Sequence, residues 1–108
     1  MNLGWNINTL DNDKKWEMER VLINDDYLFF FETFLLPIIK DFGPEFIFVS
    51  AGFDSCIGDK LGQFNCTPKM YPKIVHELRK ICPKVVIASE GGYTIENLAN
   101  CSYEILME

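Results

Sequence analysis

A chain of 108 residues makes one domain at most, and it buries a smaller share of its surface than a longer domain does. Its hydrophobic fraction of 48%, with 14% aromatic residues, is too high for a disordered chain, so a packed core is expected. A formal charge of -6 and a pI near 4.7 argue against nucleic acid or an anionic membrane as the main partner and suit a basic peptide better.

Residues 1–8 read as a short strand or its end. Residues 9–24 are polar and charged around few apolar positions, with at most one helical turn at 16–22. This stretch exceeds the usual loop length, so an insertion is expected over 7–24. Asn24, Asp25 and Asp26 then offer a helix cap and favourable charge at a helix start. The run from Tyr27 to Leu36 is apolar nearly all round, which predicts a helix buried on most of its circumference. Pro37 predicts a kink or a lost hydrogen bond before the helix ends at 40–43.

Phe46, Ile47, Phe48 and Val49 form an unalternated run behind Gly43-Pro44, which predicts a parallel strand covered on both faces. It exits through Ala51-Gly52 to Asp54. Residues 55–65, with Gly58, Asp59 and Gly62, have no clear period and predict a long loop over the sheet's carboxyl edge. Thr67-Pro68 predicts an N-cap and first helical residue, and Ile74, Val75, Leu78 and Ile81 mark one helix face. Pro72 lies beyond the first turn of such a helix, so a kink, or a turn at 68–71, is expected. Pro83 ends this element. A second β-branched strand at 85–89 exits through Glu90-Gly91-Gly92-Tyr93. Thr94 then caps a last helix carrying Ile95, Leu98, Ala99, Ile105 and Leu106. The order is β–α–β–α–β–α: an α/β chain of about three strands and three helices around a parallel sheet.

The four cysteines are widely spaced without a Cys-x-x-Cys pair, and no secretory leader is read at the start. Zinc-finger and disulfide frameworks do not fit that spacing, so free thiols in a reducing, intracellular compartment are expected. No apolar run reaches the roughly 20 residues a bilayer span needs.

Ligands of open parallel sheets sit beyond the strands' carboxyl ends, and Asp54 and Tyr93 would emerge there together. Asp54 suits a metal ligand, a general base or a turn former. Tyr93 suits a hydrogen-bond donor to a developing oxyanion, or a residue that closes the core. Gly91-Gly92 permits close backbone approach to a ligand. Glu90 reads as a turn residue or one that supports the site from behind, with contact to substrate as the lesser alternative. The single histidine, His76, sits mid-helix and builds neither a catalytic triad nor a histidine metal site. Gly58 and Gly62 lack the Lys-Ser/Thr of a phosphate loop.

Val-Ser-Ala-Gly-Phe-Asp at 49–54, Gly-Asp-x-Leu-Gly at 58–62, Thr-Pro at 67–68 and Glu-Gly-Gly-Tyr at 90–93, in this order, resemble the C-terminal part of class II zinc-dependent histone deacetylases. Leu-Pro-Ile at 36–38, Pro-Glu at 44–45 and Asn-Leu-Gly-Trp-Asn at 2–6 look like the same family. The resemblance implies that residues 1–108 are a C-terminal portion of a deacetylase catalytic domain, with a three-layer, arginase-like parallel α/β fold. It implies hydrolysis of acetyl-lysine in histone tails or other peptides, a role in chromatin regulation, and a nuclear or cytoplasmic location. Asp54 matches a zinc ligand, and Tyr93 matches the tyrosine that polarises the acetyl carbonyl. Leu61 matches a wall of the acetyl-lysine tunnel, and Gly91 and Gly92 match backbone near its base. Leucine at 61, where a polyamine-selective branch has glutamate, favours an acetylated peptide. The family's paired histidines and its Asp-x-His zinc ligands have no counterpart here. Zn2+ is therefore expected only in a complete domain with the missing N-terminal half as partner, and the isolated chain is expected to be inactive. A truncated, inactive remnant that serves as a protein-interaction module is the alternative.

Overall fold

A computed structural model describes residues 22–108. The strand expected at 1–8 and most of the segment read as an insertion lie outside the described residues. Helix α1 (Asn24–Phe30) runs through a π turn (Phe31–Leu35) into α2 (Leu36–Phe42). Asp26 reaches back to accept the Ile23 N–H at 3.1 Å, and Asp25 and Asp26 sit at the positive end of the helix dipole. The π turn answers the problem posed by Pro37. That ring clashes with the carbonyl four residues back and brings no N–H, and here the ladder widens just before it, with the Leu36 N–H donating to Phe31 O. Gly43 ends the helix in the left-handed conformation, φ 64°, with its N–H on Ile39 O at 3.2 Å.

Strands β1 (Ile47–Ala51) and β2 (Val85–Ser89) pair in parallel, with Ile47 opposite Val85 and Ala51 opposite Ser89. Helix α3 (Met70–Ile81) connects them and α4 (Ile95–Leu106) follows. Ile47, Val49, Val85 and Ile87 point one way, into clusters with Phe31, Leu36, Leu78, Met70, Tyr71 and Cys101 from the helices. The alternate residues Phe48, Ser50, Val86 and Ala88 are exposed, Phe48 at 78%. The expectation of a strand covered on both faces is therefore corrected. Within the described residues all helices lie on one face, and the apolar run of β1 keeps its second face open, with the rings of Phe46 and Phe48 4.6 Å apart on it.

Three further expectations change. Helix α1–α2 buries only Leu28, Phe31 and Leu36 and exposes Phe29, Phe34, Ile38 and Phe42, because among the described residues it too has a single neighbouring layer. Thr67 does not cap α3. Its N–H donates to Asn24 Oδ1 and its hydroxyl accepts from Asn24 Nδ2, both at 2.7 Å, tying the start of α1 to the end of the long loop. A turn at 68–69 precedes α3, which begins at Met70 and so places Pro72 in the first turn, where its missing N–H costs nothing. In α4 the buried face is Leu98, Cys101 and Ile105, while Ile95 and Leu106 are exposed.

The core beneath the strand exits is dense. Phe53, 2% exposed, meets Tyr71 edge-on at 5.1 Å, and the Tyr71 hydroxyl bonds Ser55 Oγ at 2.7 Å. Cys56, Cys66 and Cys101 are fully buried beside them, and all four cysteines are free thiols. Among the described residues no helix is long and apolar enough to cross a membrane.

Candidate active site at the strand exits

Backbone pairing continues past the ends of β1 and β2. The Glu90 N–H donates to Ala51 O at 2.9 Å and the Phe53 N–H to Gly91 O at 3.2 Å. Asp54 and Tyr93 thus leave the sheet at the same end, on two segments held together by main-chain bonds. The approach is close enough to require glycine. A Cβ at Gly52 would lie 2.9 Å from Asp54 Oδ1 and 3.0 Å from Glu90 O. Gly92, at φ 104°, leaves room for the Phe53 Cβ, which a side chain there would meet at 3.1 Å. The Asp54 carboxylate is half-buried in this cradle, and a Cβ on Gly91 would stand 3.9 Å from its Oδ1.

The loop after Asp54 folds back over it. Its two ends bridge in parallel at Cys56 and Cys66, with the Ile57 N–H on Cys66 O at 2.7 Å and the Cys66 N–H on Ser55 O at 3.1 Å. Gly62 lies directly on the main chain of Asp54, where a Cβ would come within 1.5 Å of the Asp54 carbonyl oxygen, so no other residue fits without moving the loop. The loop is tied to α4 by the Thr94 hydroxyl, which donates to Gly58 O at 3.3 Å, and by Asn97 Nδ2, which donates to Ile57 O at 3.1 Å. Thr94 keeps the N-cap position of α4 but spends its hydroxyl on this loop.

Asp59 closes the arrangement from beneath and is 9% exposed. Its Oδ1 accepts the N–H groups of Leu61 and Gly62 at 2.8 and 2.9 Å, and its Oδ2 accepts the Tyr93 N–H at 2.8 Å. Burial pushes the carboxyl pKa up, but the N–H groups of Gly62, Tyr93, Leu61 and Thr94 together hold it below the ordinary aspartate value. The side chains of Leu61 and Tyr93 stand out into solvent, 65% and 51% exposed, so Tyr93 does not close the core.

Of the sequence-expected site residues, Asp54 and Gly91 share the cradle with Gly52, Gly92 packs next to them against Phe53, and Leu61 and Tyr93 are joined to the arrangement through Asp59. Asp59 is the residue that sequence reasoning missed as a site member. The available signal was an aspartate two and three residues ahead of N–H groups in a glycine-bounded turn. Glu90 lies on the open sheet face, where it accepts the Ser50 hydroxyl. His76 pairs with Glu108 on the surface of α3, and both line a groove of about 310 Å3 that holds none of the strand-exit residues. Among the described residues no cluster of three or more His, Cys, Asp or Glu could hold a metal ion.

Solved structures share this parallel α/β arrangement. The HDA15 HD domain superposes with a TM-score of 0.77 at 33% identity, over 80% of this chain and 25% of that one. The histone deacetylase Clr3 superposes with the same score at 30% identity, over 81% of this chain and 15% of the other. Residues 8–108 match the histone deacetylase domain, and the chain belongs to that family, within its class II branch. Histone deacetylase 5 of Arabidopsis thaliana is 36% identical over 97% of this chain, and polyamine deacetylase HDAC10 of Mus musculus is 43% identical over 70% of it. The chain spans only 16% and 12% of those two relatives.

Proposed function

We propose that the chain forms the C-terminal part of a zinc-dependent lysine deacetylase that hydrolyses acetyl-lysine in histone tails or other basic peptides. The observation that carries this reading is the main-chain pairing between 51–53 and 90–91, which delivers Asp54 and Tyr93 to one end of the sheet. The residues described here fit zinc only in part. Asp54 is one donor, and the remaining ligands and the base must come from a partner segment, the N-terminal half of the catalytic domain. Zinc in such a site polarises the carbonyl and lowers the pKa of bound water.

This chain's own contribution lies in holding and polarising. Asp54 offers an anionic oxygen in a glycine cradle too tight for side chains. Gly91 and Gly92 let substrate approach the backbone. The Tyr93 hydroxyl donates to the acetyl oxygen as negative charge develops on it, an interaction of the kind that is worth about 3 kcal/mol in a water-poor site. Leu61 gives an apolar wall to the alkyl stem of a lysine, and with no carboxylate at that position a polycationic substrate gains nothing extra. The isolated 108 residues hydrolyse nothing, because a single carboxylate does not retain catalytic zinc.

A second reading, an inactive module that binds a protein partner, draws on the open apolar face of Phe46, Phe48 and Val86. One series separates the two. The intact mass of the native protein, captured with an antibody against residues 9–24, is expected to exceed 12.5 kDa. On that form Tyr93→Phe lowers kcat about 100- to 1,000-fold with zinc retained, and Asp54→Ala loses zinc. Normal turnover in both variants sinks the deacetylase reading. A native mass of 12.5 kDa with no zinc uptake leaves the module.

A further inference from the structure

Asp59 is the only charged side chain buried among the described residues, and nothing in the proposed chemistry uses it. Burying a carboxylate is costly unless its oxygens are satisfied. A loop that merely needed closing could use a neutral residue. What distinguishes Asp59 is how its two oxygens are divided. One serves the loop, at Leu61 and Gly62, and the other serves Tyr93, 34 residues further along the chain. A rigid, planar group of two acceptors therefore fixes the spacing between two main-chain segments.

Elsewhere the two segments are joined by the Thr94 hydroxyl on Gly58 O and by Asn97 Nδ2 on Ile57 O, but the tie at Tyr93 itself is its N–H on Asp59 Oδ2. The turn before Tyr93 is Gly91-Gly92, with φ of 105° and 104° and no side chains to anchor it. The Tyr93 ring itself is half exposed. On the other side, Gly62 rests on the carbonyl of Asp54, so a shift of the 59–62 turn is felt at Asp54 as well.

We infer that Asp59 is a positioning residue, which through main-chain N–H groups sets the Tyr93 phenol relative to the Leu61 wall and the Asp54 carboxylate. The inference rests on the reading of Tyr93 as oxyanion donor, and it adds a coupling between the residue that would select substrate and the one that would react with it. Asparagine cannot replace the aspartate, because its one acceptor oxygen satisfies one arm while its NH2 group opposes the N–H donors of the other.

The first test needs no variant. NMR of the unmodified chain through acid pH is expected to show the Leu61, Gly62 and Tyr93 amides shifting together, with one midpoint below the ordinary aspartate range. A Tyr93 amide that does not share the midpoint overturns the link. The second test uses the complete polypeptide and compares Asp59→Asn with Val75→Ala, a destabilising core change away from the turn. Asp59→Asn is expected to lower kcat about 100-fold, as a displacement near 1 Å does, with bound zinc unchanged. Val75→Ala is expected to leave kcat within about two-fold, as a change outside the site should. Equal losses in the two variants overturn the positioning role. Tyr93→Phe is the separate arm: if it keeps its turnover, the deacetylase role of Tyr93 fails, while the shared midpoint still decides the Asp59 link.

Discussion

The two faces of the β1–β2 sheet are built from the same two strands and are nearly equally apolar, yet one is core and the other is surface. Ile47, Val49, Val85 and Ile87 pack into the helices; Phe48 and Val86 beside them are 78% and 44% exposed. Helix α4 repeats the contrast, with Cys101 fully buried on one side and Ile95 83% exposed on the other. Each large apolar side chain left in water forgoes about 1.5–3 kcal/mol of burial. The difference teaches that the apolar pattern suits strands covered on both faces, while the described residues cover only one; the chain matches 25% of the HDA15 HD domain structure. A strand with no alternation suits a middle layer, even where the described residues supply only one outer layer.

The largest effect that can break this comparison lies on the covered side. Phe53 is 2% exposed, stacked edge-on to Tyr71, and lies under Gly92. Phe53→Ala is expected to cost about 3–5 kcal/mol through lost transfer and cavity terms, read from the urea midpoint. Since the ring also supports the diglycine turn, the Tyr93 resonances should broaden in the same variant. A cost below that of an exposed phenylalanine would show that the buried side is not the core.

A smaller effect sharpens the comparison at the thiols. Burial first, then the neighbouring Cys56, push Cys66 up to about 11 and Cys101 up to about 12. Both groups are held neutral in the fold and ionise more easily when it is lost. Their contribution to stability is therefore complete below the unfolded thiol range and disappears as pH rises through about 11 to 12. A thiol-specific reagent at pH 8 is expected to react slowly with the native chain and to titrate all four cysteines after denaturation. Rapid native reaction at Cys56, Cys66 or Cys101 would mean that the covered side opens readily.

What was legible in the sequence is what local chemistry decides. Unalternated β-branched runs gave β1 and β2, Gly43 and Pro83 gave helix ends, and two strand exits put Asp54 and Tyr93 at one edge. What was not legible depends on partners far along the chain. Thr67 carries the signature of a cap, but Asn24, 43 residues earlier, takes both its groups. Asp59 reads as a turn residue until Tyr93 is seen on its second oxygen. The open face was misread for a related reason: composition reports how much burial a strand is suited to, and the number of layers present is a property of the assembly.

The smallest expected effect on stability tests that last point most directly. Phe48→Ser removes a large ring from the open face, where it meets the ring of Phe46 at 4.6 Å. Because the ring is mostly solvated in the fold and in the unfolded chain alike, the urea midpoint should move by no more than about 0.5 kcal/mol. Association should respond far more. Among the described residues the sheet has unpaired edges and an apolar face, the combination that recruits other chains, so sedimentation of the unmodified protein should show concentration-dependent species that Phe48→Ser reduces. Retained association with unchanged stability would place the sticky surface elsewhere, with Ile95 and Leu106 of α4 as the next candidates. A large loss of stability would mean instead that Phe48 is covered in solution, and that the two faces are alike after all.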